Sequence, residues 1–125
     1  MSEPVIAAVM IHVASVPEAL AWYARAFPSA VRMTEPGTTF EYLAVGATRL
    51  EFVPADAKVP SGPAGSVVYW SVPRFEDALA HMQGVGATLY RGPLRIAHGQ
   101  SICQVRDPWG NCIGLRGPSR SAVAS

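Results

Sequence analysis

The sequence predicts an α+β fold of two tandem βαβββ units, and the main reason is an internal duplication. The pattern Val13-x-x-Val16-Pro17-Glu18-Ala19-Leu20 returns 59 residues later as Val72-x-x-Phe75-Glu76-Asp77-Ala78-Leu79. Leu50-Glu51-Phe52 is matched 63 residues later by Ile113-Gly114-Leu115. Since one strand–helix–three-strand unit is too small to bury its own sheet face, two copies are expected.

The first unit is predicted over residues 4–54 and begins with an apolar strand, Pro4–Val13. Ser15-Val16-Pro17-Glu18 then forms a capping box that starts a helix, because Ser and Glu satisfy free N–H groups and proline suits the first turn. Apolar residues recur at helical spacing from Leu20 until Pro28 ends the helix. Three short strands are predicted after the helix, at residues 30–34, 40–45 and 48–53.

The second unit is predicted over residues 66–117, after a linker rich in proline and glycine at residues 55–65. A strand at 66–72 and a helix at 73–82 are followed by predicted strands near 88–90, at 101–106 and at 111–116. The last two strands are joined by Asp107-Pro108-Trp109-Gly110-Asn111. This stretch is typical of a hairpin, because proline fixes a corner, glycine accepts a positive φ, and Asp and Asn bond nearby backbone. Residues 118–125 are predicted to be a disordered tail.

The composition excludes several classes of function. A 125-residue chain that is 50% hydrophobic has material for a single domain with a sizeable core. Its net charge of +1 provides no basic surface for nucleic acid, and no apolar run approaches the roughly 18 residues of a membrane span. No phosphate-binding loop is visible, so no nucleotide cofactor is expected. With no signal peptide at its start, the protein is expected to be cytoplasmic, with Cys103 and Cys112 as reduced core residues.

The duplicated frame, the helix at Val16–Tyr23 and the hairpin at Asp107–Asn111 together resemble the vicinal oxygen chelate superfamily. This superfamily includes glyoxalase I, extradiol dioxygenases and bleomycin-resistance proteins, and the resemblance covers about residues 5–117. It implies that each unit curls its mixed sheet into a half-shell with the helix on the convex face, and that two half-shells enclose a cavity. Metal-dependent members carry one ligand on the first and last strand of each unit. Those four positions correspond here to Ala8, Glu51, Val67 and Gly114.

Only Glu51 among those four residues can bind a metal ion, so no cofactor is expected. A divalent ion needs three or four nitrogen, oxygen or sulfur ligands in one place. The alternative is a rebuilt site for one divalent metal, in which Glu51 and His12 are completed by water or by His98. If there is no metal site, His12 is interpreted as a polar residue on the wall or rim of the cavity. It lies on the same side of its strand as Ala8, four residues earlier.

The Glu51 side chain is predicted to face the cavity, because its neighbours Leu50 and Phe52 face the helix layer. Two interpretations stay open. One is a structural ion pair, with Arg49 or Arg116 as the partner, and the other is a hydrogen-bond acceptor or general base for a ligand. Strand alternation predicts that the cavity is lined by Met10, His12, Tyr42, Glu51, Tyr69, Ser71, Gln104, Cys112 and Arg116.

The resemblance implies two classes of function. The first is a metal-independent binding protein, similar to bleomycin-resistance proteins, that holds a small organic molecule in a cavity at a homodimer interface. The second is a lyase or isomerase similar to glyoxalase I, or a related dioxygenase, with Glu51 as the catalytic residue or with a rebuilt metal site. The missing metal ligands favour the first. A homodimer is expected because two open half-shells leave sheet edges and concave faces uncovered.

Overall fold

The computed structural model of the protein describes residues 5–120, and their contacts divide the chain into two compact units, residues 1–61 and 62–125. Each unit contains one helix and a four-stranded mixed sheet, so the predicted α+β fold of two βαβββ units is confirmed. None of the helices within residues 5–120 is long and apolar enough to cross a bilayer.

The first unit has its four strands in the order β1-β4-β3-β2. β1 and β4 are parallel, while β4, β3 and β2 form antiparallel pairs. The elements of this unit are β1 (Ala8–Val13), α1 (Val16–Ala26), β2 (Val31–Thr34), β3 (Glu41–Val45) and β4 (Thr48–Pro54).

Helix α1 begins as the sequence predicts, because the Ser15 side chain accepts a hydrogen bond from the backbone N–H of Glu18 at 3.4 Å. Its buried face packs against β3 and β4. The ring of Tyr23, on that face, lies 4.8 Å from the ring of Phe52 on β4. This contact and the burial of Leu50 and Leu43 place the core of the unit between the helix and one face of the sheet.

The second unit repeats this arrangement, with the strand order β5-β8-β7-β6 and a parallel β5–β8 pair. Helix α2 buries Phe75 and Met82 and packs against β6, β7 and β8. The elements of this unit are β5 (Val68–Ser71), α2 (Phe75–Gly84), β6 (Thr88–Ile96), a short 3₁₀ turn (Ala97–Gly99), β7 (Gln100–Arg106) and β8 (Cys112–Pro118).

The hairpin between β7 and β8 is stabilised by the side chain of Asp107. One carboxylate oxygen of Asp107 accepts hydrogen bonds from the backbone N–H groups of Trp109, at 2.9 Å, and Asn111, at 2.8 Å. Gly110 has a φ of 89°, which an L side chain rarely adopts. The turn therefore depends on the Asp, Gly and Asn residues from which it was predicted.

Three sequence expectations need correction. β6 does not end near Tyr90 but continues to Ile96. β1 begins at Ala8, later than the predicted start at Pro4, which lies outside the described residues. The predicted tail is ordered at its start: Pro118 belongs to β8, and Ser119 and Arg120 both donate hydrogen bonds to the Glu76 carboxylate. Residues 121–125 lie outside the described residues.

Candidate functional site

The sheet of the first unit has one face covered by α1 and a second face, here called the first open face. Pairing of β1 with β4 places Met10 beside Glu51 and His12 beside Val53, on this same face. Tyr42 on β3 lies on it too, since its neighbour Leu43 pairs with the buried Leu50. Four predicted site residues of this unit, Met10, His12, Tyr42 and Glu51, thus share one face.

Arg49 is the centre of the polar contacts on the first open face. Its Nη1 donates a hydrogen bond to Glu35 Oε1 at 2.7 Å, and its Nε lies 3.1 Å from Glu51 Oε2. Its guanidinium carbon is 3.6 Å from the centre of the Tyr42 ring, which is a cation–π contact. One cation therefore binds two carboxylates and one aromatic ring.

The hydrogen bond to Glu35 raises the pKa of Arg49 above its usual value. The contact with Glu51 is of a different kind. Although the distance is that of an ion pair, the Arg49 Nε–H group is buried and makes no hydrogen bond within residues 5–120. Of the two interpretations of Glu51, the structure contains the ion pair, with Arg49 as the partner.

The residues at the family's metal-ligand positions do not fit a divalent ion. Ala8, Val67 and Gly114 offer no side-chain donor, and the carboxylate of Glu51 already has a cationic partner. Within the described part of the chain, no three His, Cys, Asp or Glu side chains gather into a group that could hold a metal. This finding does not support the alternative of a rebuilt site around Glu51 and His12.

In the second unit, the corresponding uncovered face, here called the second open face, carries Tyr69 beside Gly114. A Cβ atom at position 114 would lie 2.5 Å from Cδ2 of the Tyr69 ring, closer than real Cβ contacts allow. The glycine is thus required by the ring that lies over it. A metal-ligating side chain at position 114 would need Tyr69 to move.

A cavity of about 430 Å³ opens on this face. Two predicted site residues meet there, since Gln104 Nε2 donates a hydrogen bond to the hydroxyl oxygen of Tyr69 at 3.0 Å. The cavity is lined by Tyr69, Arg91, Gly92, Pro93, Leu94, Ile102, Cys103 and Gln104. A second cavity, of about 420 Å³, lies beside α2 and contains none of the predicted site residues.

The sequence analysis missed the β6 residues of this cavity: Arg91, Gly92, Pro93 and Leu94. The sequence predicts a strand only near residues 88–90, whereas the observed strand continues to Ile96 through two register shifts around Gly92-Pro93. Gly92 has a φ of 85°, and a Cβ there would lie 3.0 Å from the Ile102 carbonyl oxygen. Glycine inside a strand pattern also signals a bulge, and bulges redirect side chains beside binding sites.

The remaining predicted residues of the second open face are farther along the sheet. Arg116 pairs with Ile102 and Ser71, and its Nε donates to Gln100 Oε1 at 3.2 Å. Cys112 pairs with Arg106 and is half-buried, while Cys103, which contributes to the cavity wall, pairs with Leu115 and is buried. Burial raises the pKa of both thiols above the usual value, so both are in the protonated, unreactive form near neutral pH.

The fold and the site together define a duplicated βαβββ protein that has a small-molecule-sized cavity and, among the residues the structure describes, no set of metal ligands. The model of the Glyoxalase/Bleomycin resistance protein/Dioxygenase superfamily matches residues 5–115, and the chain belongs to that superfamily. No protein of curated function matches the chain at significant similarity.

Several solved structures are similar to the chain throughout its length. TnmS3, an antibiotic-binding protein from Streptomyces sp. CB03234, is 22% identical, with a TM-score of 0.66 over 95% of this chain and 99% of that one. A superfamily member from Sphaerobacter thermophilus is 16% identical, with a TM-score of 0.71 over 92% and 98%. A virulence protein from Salmonella typhimurium is 19% identical, with a TM-score of 0.69 over 94% and 99%. At these identities the similarity establishes the fold alone.

Proposed function

We propose that the protein binds a small organic molecule on its open faces without a metal ion. The observation that carries this proposal is the group of Arg49, Glu35, Glu51 and Tyr42, here called the Arg49 cluster. The one residue able to ligate a metal at the family's ligand positions, Glu51, is paired with Arg49, which also binds Glu35 and stacks on Tyr42. The cationic partner of Glu51 in this structure is thus a guanidinium.

The cavity of the second unit supports the same proposal. Its volume, about 430 Å³, is in the range of sites for small molecules. An aromatic ring, three aliphatic side chains and a few polar groups line it, which is the usual composition of such sites. Stacking on Tyr69 would contribute about 0.5–1.5 kcal/mol beyond area burial, and a charge-assisted hydrogen bond about 1.5–3 kcal/mol. The antibiotic-binding protein TnmS3 has the same fold.

The exposed apolar residues of the open faces support a homodimer. Met10, Val31 and Met33, all on the first open face, are 53%, 55% and 43% exposed. On the second open face, Leu94 is 60% exposed. Because soluble proteins seldom leave grouped apolar residues uncovered, a second copy of the chain is the proposed partner, with ligand cavities at the interface.

A lyase or isomerase would instead use Glu51 as a general base or as a metal ligand. In this structure Glu51 has an arginine partner, and no three metal-binding side chains gather within residues 5–120. Glu51→Gln separates the two functions, because it would abolish turnover by an enzyme and leave binding nearly intact.

The proposal is tested by an NMR fragment screen on chelator-treated protein labelled with ¹⁵N. Bound fragments should shift the backbone signals of Gly92, Gln104 and Gly114. Tyr69→Ala should weaken binding, whereas Val68→Ala should not, because Val68 is equally exposed on the same strand but faces the other side of the sheet. Equal effects of the two substitutions, or hits that appear only after metal is added, would contradict the proposal.

A further inference from the structure

The second open face has an unusual distribution of charge. The four strands of this sheet contain no Asp or Glu. Three arginines, Arg91, Arg106 and Arg116, pair with residues of this face. Asp107 follows Arg106 in the hairpin, but the strands themselves carry no carboxylate to neutralise these cations, so the face should attract anions.

The three arginines differ in how far their hydrogen-bonding capacity is used. Arg106 Nε donates to the Gly110 carbonyl at 2.9 Å, and Arg116 Nε donates to Gln100. Arg91 makes no ion pair with any residue of the described range 5–120. Since Arg91 lines the cavity, its fork of N–H donors is available to a bound molecule.

The walls around Arg91 are apolar and partly planar. Pro93, Leu94 and Ile102 supply aliphatic surface, and the Tyr69 ring lies over Gly114. The hydrogen bond from Gln104 fixes the Tyr69 hydroxyl as an acceptor, which leaves its own O–H free to donate. The cavity therefore combines two kinds of donor with a surface suited to a flat apolar group.

We propose that the ligand is an aromatic carboxylate, with its carboxylate on Arg91 and its ring against Tyr69. This inference rests on the proposed function and adds the chemical class of the ligand. A guanidinium matches a carboxylate because two parallel N–H groups meet two oxygens. A cationic ligand would find no counter-ion on these strands, and burying it unpaired would cost free energy.

Three probes of one shape and different charge test the inference: naphthoate, naphthamide and naphthylmethylammonium. Their affinities are measured by isothermal titration calorimetry on the full chain, and their location is measured by the amide shifts of Gly92 and Gln104. We expect naphthoate to bind most tightly. Its affinity should fall with added salt more than that of naphthamide, because naphthoate is charged and naphthamide is neutral.

Variants at Arg91 identify the anchor. Arg91→Gln should weaken naphthoate about 10- to 100-fold, the range expected for one charge-assisted hydrogen bond, and leave naphthamide within about twofold. Arg91→Lys should keep the preference for naphthoate over naphthamide but bind naphthoate less tightly than the wild type, because an ammonium group cannot present two parallel N–H groups. Arg25→Gln is the matched control, because it removes the same charge from an exposed arginine on α1.

The outcomes separate the two proposals. If naphthamide or naphthylmethylammonium binds at the cavity as tightly as naphthoate, the protein still binds small molecules and only the anionic class is wrong. If Arg25→Gln weakens naphthoate as much as Arg91→Gln does, the attraction is a general effect of net charge and Arg91 is not the anchor. If none of the three probes binds, both the aromatic carboxylate class and the proposed cavity function are contradicted.

Discussion

At the scale of single residues, Arg49 decides the chemistry of the first open face. It lies two positions before Glu51 on β4, so period-2 alternation places both side chains on one face. That much follows from the sequence. The choice of Arg49 rather than Arg116 as the partner, and the presence of Glu35 and Tyr42 around the same guanidinium, depend on contacts between strands and loops that alternation does not specify.

From the Arg49 cluster we predict that Glu51→Gln changes the melting temperature in opposite directions in the wild type and in the Arg49→Met variant. In the wild type, the substitution removes an attractive partner and should lower the melting temperature. In the Arg49→Met variant, Glu35 and Glu51 have lost their shared cation, so Glu51→Gln should raise the melting temperature by removing one of two like charges.

The control for this double-mutant cycle is the exposed pair of Arg32 and Glu41, whose charged atoms are 3.0 Å apart. Exposed pairs of this kind contribute about 0–1 kcal/mol, so Arg32→Met and Glu41→Gln should be nearly additive. Additive effects at Arg49 and Glu51 as well would show that their contact does not couple them.

Cys103 predicts a pH dependence of stability. Burial raises the pKa of its thiol from 9.0 to about 11. The folded protein therefore keeps this proton after the unfolded chain has lost it, so the free energy of unfolding falls as pH rises from about 9 to about 11. Urea unfolding across this range should show a smaller decline for Cys103→Ala than for wild type. Parallel declines would contradict the assignment.

At the scale of secondary-structure elements, the helix starts and turns that could be predicted from the sequence are the ones with strong local signals. The Ser15 cap and the Asp107 turn form because short polar side chains bond backbone within a few residues, which neighbouring sequence reveals. β6 is longer than the sequence predicts: Gly92-Pro93 interrupts the local strand pattern, and the strand beyond it is defined by its pairing with β7. The cavity residues Arg91 and Leu94 were missed for this reason.

The pairing of β5 with β8 predicts that Gly114 and Tyr69 are coupled. Gly114→Ala should cost about 1–3 kcal/mol of stability, because the added methyl group overlaps the Tyr69 ring and must displace it. In the Tyr69→Ala background the same substitution should cost less than about 1 kcal/mol, since the ring is gone. Chemical denaturation of the four variants measures both costs. Equal costs in the two backgrounds would mean that the ring does not depend on the glycine.

At the scale of the whole molecule, duplication was the most informative signal in the sequence. Two motifs that are weak alone, the start of α1 and the β7–β8 hairpin, are together specific for the superfamily, because both stand at the expected places in a duplicated frame. The fold and the superfamily could therefore be predicted from sequence. The ligand could not, because family members differ in the side chains that line their cavities, and those depend on strand irregularities such as the one at Gly92.

The proposed homodimer gives a prediction at this scale. Met33→Lys places a charge among the exposed apolar residues of the first open face and should shift the protein to monomers, because burying an unpaired ammonium group is costly. Val59→Lys, at an equally exposed position outside the strands, should leave the assembly unchanged. Light scattering after size-exclusion chromatography measures the mass. A wild-type monomer at micromolar concentration would contradict the proposal.

Metal-independent binding is the central claim, and calorimetry of a bound probe with and without metal tests it most directly. The protein is treated with chelator, dialysed and titrated with the tightest-binding naphthyl probe, then titrated again after addition of Zn²⁺, Ni²⁺, Mn²⁺ or Fe²⁺. We predict dissociation constants within about twofold of each other in all conditions, and no loss of binding in Glu51→Gln. Binding that appears only with one of these metals and disappears in Glu51→Gln would contradict the claim and identify Glu51 as a metal ligand.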